Sequence, residues 1–178
     1  NDALIEKMGF QIAQQCKRMG VHINYAPVVD VNNNPNNPVI NFRSFGENKE
    51  NVTQSALALM KGFQSQGVFS TGKHFPGHGD TATDSHKLLP VLNFEIERLD
   101  SIELYPYKKL FQNNLTSVMV AHLDIPSLEP RKGYPTSISY KVVTNILKED
   151  LGFNGLIFTD ALNMKGASNF KQPGDIDL

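Results

Sequence analysis

Residues 72–86 hold the densest chemistry in the sequence, with three of the five histidines and two aspartates in fifteen positions: His74, His78, His86, Asp80 and Asp84, and with them Lys73. An imidazole gives or takes a proton near neutral pH, and a carboxylate can orient an imidazole, hold a cation or attack carbon. Two chemistries compete for this set. His74 and His78 are spaced i, i+4 like the paired ligands of a helical metal site, with Asp80, Asp84 and His86 as further donors. Pro76, Gly77 and Gly79 break any helix there, and no glutamate stands between the two histidines to act as general base. Asp84 and His86, at i, i+2, fall on the same side of an extended or turning backbone. An Asp bonded to one imidazole nitrogen fixes the tautomer, raises the pKa and leaves the other nitrogen for proton transfer. The plainer alternative is a turn in which Asp84 bonds the backbone near His86. Cationic Lys73 and a second carboxylate, Asp160, favour the dyad. One group to deliver a proton and one carboxylate to attack is the inventory of retaining glycoside hydrolysis.

These residues need elements to carry them, and the sequence repeats one pattern four times. Leu4, Met8, Ile12, Cys16 and Met19 recur at helical spacing up to Gly20, and residues 21–26 then alternate like a strand. Asn51, with Gln54 three residues on, opens a second helix through Phe63 to Gly67, and residues 68–71 follow as a strand. Residues 97–113 read as a helix kinked at Pro106, followed by a strand over 117–121. Ser139 caps a last helix ending at Gly152, before a strand over 155–159. Strict helix-to-strand alternation implies parallel strands with helical crossovers, an α/β fold. The four strand ends deliver Asp30, Lys73 with His74, His122, and Asp160. In a (β/α)8 barrel catalytic residues project from that edge, and in an open doubly wound sheet ligands bind there.

Residues 32–48 form a second long loop, rich in Asn and Pro. The Asn run reads equally as a spacer or as something built. Arg43, flanked by Phe42 and Phe45, reads as a ligand-binding cation held in place, against the alternative of a surface salt bridge. Either Phe would stack on a sugar face or pack into the core. His122 is a candidate site residue or a hydrogen-bonded structural histidine, and Asp30 a carboxylate that fixes loops. No strand runs into a Gly-x-Gly-x-x-Gly turn, so no nucleotide site is expected.

The remaining composition mainly excludes. The 178 residues carry 17 Lys and Arg against 18 Asp and Glu, a net charge of −1, which gives no polycation for nucleic acid. The lone Cys16 cannot form an internal disulfide or a thiolate zinc cluster. No run approaches the roughly 18 apolar residues of a membrane span. Residues 1–20 lack a signal-peptide pattern, and nothing specifies a compartment. A start inside a helical pattern and a loose end at residues 172–175 suggest a piece of a longer chain.

The stretch 73–81 (KHFPGHGDT) with Asp84-Ser85-His86 resembles the signature of bacterial β-N-acetylhexosaminidases of glycoside hydrolase family three. Residues 25–31 (YAPVVDV), 43–46 (RSFG) and 155–164 (GLIFTDALNM) agree with it in order and spacing. The resemblance implies that residues 1–178 are the central part of a (β/α)8 catalytic barrel, partial, with about four βα units. It implies Asp160 as nucleophile, His86 as acid/base with Asp84 as its partner, and Arg43, Lys73 and His74 as ligands of sugar hydroxyls. The expected partners are a small carbohydrate and the missing remainder of the barrel, and no cofactor or metal is implied. Ala161 stands where the family usually has a second Asp, and two opening strands of the family's barrel are absent. A complete barrel takes about 250 residues, so this chain spells roughly half. A metal-dependent hydrolase, a sugar-binding fragment without turnover, and phosphorolysis in place of hydrolysis are the alternatives.

Overall fold

The computed structural model describes residues 1–83 and 88–168. Four parallel strands stand in sequence order: β1 (Ile23–Asn24), β2 (Phe69–Phe75), β3 (Ser117–Val120) and β4 (Leu156–Thr159). Helices α1 (Asp2–Arg18), α2 (Lys49–Gln64), α3 (Ile96–Ser101) and α4 (Leu104–Gln112), with a π-helix at Lys141–Asp150, make the connections. The expected alternation is present, as half of a barrel. Tyr25 and Phe158 show the curl: they lie just past and within the two edge strands, yet their rings meet edge-on with centroids 5.3 Å apart.

Among the described residues, helices cover only the outer face of the sheet. There Val29, Phe75, Val118 and Val120 pack against Met60, Tyr107, Leu110 and Leu147, all buried. Each such side chain contributes about 1.5–3 kcal/mol on burial. The inner face is open, with Phe69 42% and Leu156 45% exposed. Parallel sheets are normally covered on both faces, so this is the surface that further strands of a barrel would close.

Local boundaries differ from the sequence expectations, each for a physical reason. The second helix begins at Lys49, because the Asn48 side chain, not Asn51, caps it by accepting from the Asn51 N–H at 2.9 Å. The helix expected over 97–113 breaks at Ile102-Glu103, and Pro106 falls in the first turn of α4, where its missing N–H costs nothing. Only part of the apolar stripe of α1 faces the core: Ile12 and Cys16 pack against Leu59, Phe63 and Val68, while Leu4, Met8 and Met19 are exposed and Gly9 and Ala13 are buried. Backbone contact decides this. A Cβ at Gly62 would lie 2.3 Å from the Glu6 carbonyl oxygen, so α1 and α2 touch where neither has a side chain.

The first strand is shorter than expected and the second longer. Past Asn24 the chain turns through a cis Ala26–Pro27 bond, yet it still pairs with β2: Thr71 N–H donates to Ala26 O at 2.9 Å, Lys73 N–H to Pro27 O at 3.1 Å, and Val29 N–H to Lys73 O at 2.6 Å. This pairing carries Asp30 to the level of His74.

Candidate active site

Asp30 organises the site from beneath. It is 1% exposed, and its carboxylate accepts from the His74 N–H (3.2 Å to each oxygen), from His74 Nδ1 (2.7 Å) and from the His78 N–H (2.7 Å). Burial alone would push its pKa up, but His74 and the His78 bonds outweigh that and hold it below the usual carboxylate value. An ionised Asp30 places the His74 proton on Nδ1, which leaves Nε2 to accept. That atom stands 3.4 Å from Arg43 Nη2.

Arg43 reaches this point from a short 3-10 turn, Asn41–Arg43. Its Nη1 donates to Val39 O at 3.2 Å, and the neighbouring Ser44 hydroxyl ties the turn to the chain after β1 by donating to Asp30 O at 2.7 Å. The flanking phenylalanines play no matching role: Phe42 is 98% exposed, and Phe45 packs against the core. Hydrogen bonds, not a pair of aromatic rings, hold Arg43.

Lys73 is half-buried on the inner face of β2. Desolvation, and then repulsion by Arg43, push its pKa below the ordinary lysine value, against the attraction of Asp160 and Asp30. Asp160 follows β4, and its N–H extends the sheet by donating to Val120 O at 2.9 Å. Arg43, Lys73, His74, His78 and Asp160, with Val39 and Met164, line one pocket of about 120 Å³. Four of the expected site residues, contributed by β2 and by the chain after β1 and β4, thus converge. The expected dyad, Asp84 and His86, lies outside the described residues.

His122 is fully buried, with both ring nitrogens engaged: Nδ1 with Ser137 Oγ at 2.6 Å, and Nε2 with Ala161 O at 3.1 Å. Burial pushes its pKa down. The imidazole braces the residue after Asp160 from below. His74 and His78 spend their Nδ1 atoms on Asp30 and Thr81 Oγ1, the latter at 2.9 Å, and among the described residues no group of three His, Cys, Asp or Glu is disposed to hold a metal.

One further residue of the pocket was read from the sequence only as a possible metal ligand, and one residue beside it was not singled out. His78 lines the pocket with its pKa lowered, first by burial. Asn37 hides in the Asn-Pro run and bonds the His-rich loop directly. Nothing in its spacing separates it from its Asn neighbours. Next to His78, a Cβ at Gly79 would fall 1.9 Å from Val31 O, so this loop lies directly on the backbone after β1.

The profile of the glycosyl hydrolase family 3 N-terminal domain matches residues 1–176. The chain belongs to this family. It is 40% identical to β-hexosaminidase A of Pseudoalteromonas piscicida over 99% of its own length and 31% of that protein's. It is 37% identical to a β-hexosaminidase of Neisseria meningitidis serogroup C, across 90% of this chain and 44% of the relative. The structure of a family 3 β-N-acetylglucosaminidase from Paenibacillus sp. superposes with a TM-score of 0.96 at 39% identity, covering 99% of this chain and 33% of the other. The family 3 chain therefore spans between about a third and a half of these relatives, which fits the open inner face of its half-barrel.

Proposed function

We propose that residues 1–178 are the central part of the catalytic barrel of a retaining glycoside hydrolase that removes terminal β-linked N-acetylglucosamine. The observation that carries this reading is the convergence of Asp160 with Arg43, Lys73 and His74 on one pocket at the carboxyl ends of parallel strands. The names of the similar proteins supply the sugar. In this mechanism Asp160 attacks the anomeric carbon while His86, steered by Asp84, protonates the departing glycosidic oxygen. The glycosyl–Asp160 ester is then hydrolysed by water that gives its proton to His86, with net retention. Arg43, Lys73 and His74 hold sugar hydroxyls. Imidazolium lies near neutrality already, so the acid need not be a carboxylic acid with a strongly raised pKa. The remaining strands of the barrel are the structural partner of this half.

The test is turnover of 4-nitrophenyl N-acetyl-β-D-glucosaminide, beside the β-glucoside, by the full-length protein and its Asp160→Asn variant, with and without chelator and phosphate. The expected result is N-acetylglucosaminide hydrolysis lost by at least ~1,000-fold in Asp160→Asn, consistent with removal of a covalent nucleophile. Loss of wild-type activity to a chelator would favour the metal-dependent alternative, a sugar 1-phosphate product would mean phosphorolysis, and sugar binding without turnover would leave only a binding domain.

A further inference from the structure

Asn37 is 1% exposed and uses its whole amide. Nδ2 donates to His78 O at 2.8 Å and Gly79 O at 2.9 Å, with Thr81 Oγ1 at 3.4 Å. Oδ1 accepts from the Val39 N–H at 2.9 Å and the Ile40 N–H at 2.8 Å. One face of the amide therefore meets two carbonyls of the loop after β2, and the other meets two N–H groups of the loop after β1. Among common side chains of this length only a primary amide supplies two N–H bonds and a doubly accepting oxygen.

Both ends of this bridge lead directly to residues of the pocket. Ile40 O accepts the Arg43 N–H at 2.7 Å, closing the turn that presents the guanidinium, and Val39 O accepts Arg43 Nη1. On the other side, His78 N–H is bound to Asp30, the carboxylate that fixes His74. Asn34 adds a longer bond from Nδ2 to Thr81 O at 3.3 Å. Resting on the glycosidase reading above, we infer that Asn37 is a positioning residue that sets Arg43 against the His74–His78 segment, so that the sugar clamp keeps its geometry. It acts through Arg43 and touches no substrate.

The isosteric Asn37→Asp variant keeps the acceptor facing Val39 and Ile40 but turns lone pairs toward the His78 and Gly79 carbonyls. In the full-length protein, its kcat/KM on 4-nitrophenyl N-acetyl-β-D-glucosaminide is expected to fall at least tenfold, mostly through KM, in samples shown to be folded. The deciding measurement is a double-mutant cycle with Arg43→Ala. If Asn37 acts through Arg43, adding Asn37→Asp to Arg43→Ala costs less than threefold more. Equal losses in both backgrounds, or a folded Asn37→Asp protein with wild-type kcat/KM, would overturn the inference. Should Asn37→Asp not fold, Asn37→Ser carries the same cycle with the same outcomes. A wild-type protein inert toward the substrate would overturn the glycosidase reading and this inference with it, whereas an active wild type with independent losses overturns this inference alone.

Discussion

Removing the Asp30 carboxylate tests the architecture beneath the pocket. In Asp30→Ala three donors lose their acceptor at once: the His74 N–H, His74 Nδ1–H and the His78 N–H. All three lie in buried residues, so water does not replace the carboxylate at no cost. Each orphaned buried donor costs about 1–3 kcal/mol. With three of them the expected loss is at least about 3 kcal/mol, which for a domain of this size lowers Tm by at least about 6 °C. Asp30→Asn should cost less, since its carbonyl still accepts from His78 N–H. The pH dependence has a definite sign. Asp30 has its folded pKa held down, so its contribution is present above the unfolded carboxylate value of about 3.9 and is lost as pH falls through the folded pKa. Urea unfolding of wild type and both variants at pH 7 and pH 3 reads this directly. An Asp30→Ala protein within about 1 kcal/mol of wild type at pH 7 would refute the reasoning, because three buried donors cannot lose a common acceptor so cheaply.

Two further outcomes follow from the site's packing. Gly79→Ala places a Cβ 1.9 Å from Val31 O, a contact only backbone movement can relieve, so the His-rich loop must lift from the chain after β1. Turnover should fall at least tenfold, checked by steady-state kinetics on folded protein. His122 and His78 are buried with lowered pKa values, so the unfolded state binds more protons below about pH 6.5 and stability declines as pH falls through that value. His122→Gln should flatten that decline in a thermal-melt series from pH 8 to pH 5.

The alternation of helices and strands, and the four strand ends that carry titratable groups, could be read from spacing alone, because period and punctuation are local properties. What spacing could not supply was the curl. Only a curled sheet brings Asp160, after the fourth strand, to the pocket that Arg43 enters from the loop after the first. The same limit hid the support of the site. Asn37 looks like its Asn neighbours until its amide is seen between two loops, and Asp30 could be read as a carboxylate that fixes loops, but not that His74 and His78 are its partners. In α1 the apolar spacing marked the helix itself, whereas its close approach to α2 runs through glycine backbone that no apolar period reports.

The proposed mechanism requires that Asp160 form a covalent bond to the sugar. Incubating the full-length protein with 5-fluoro-N-acetyl-β-D-glucosaminyl fluoride, whose ring fluorine slows the second step, and mapping the digest by mass spectrometry tests it most directly. A single added glycosyl group is expected on the peptide containing Asp160, absent from Asp160→Asn. A label on another residue, or turnover with an inverted anomeric product and no label, would contradict it.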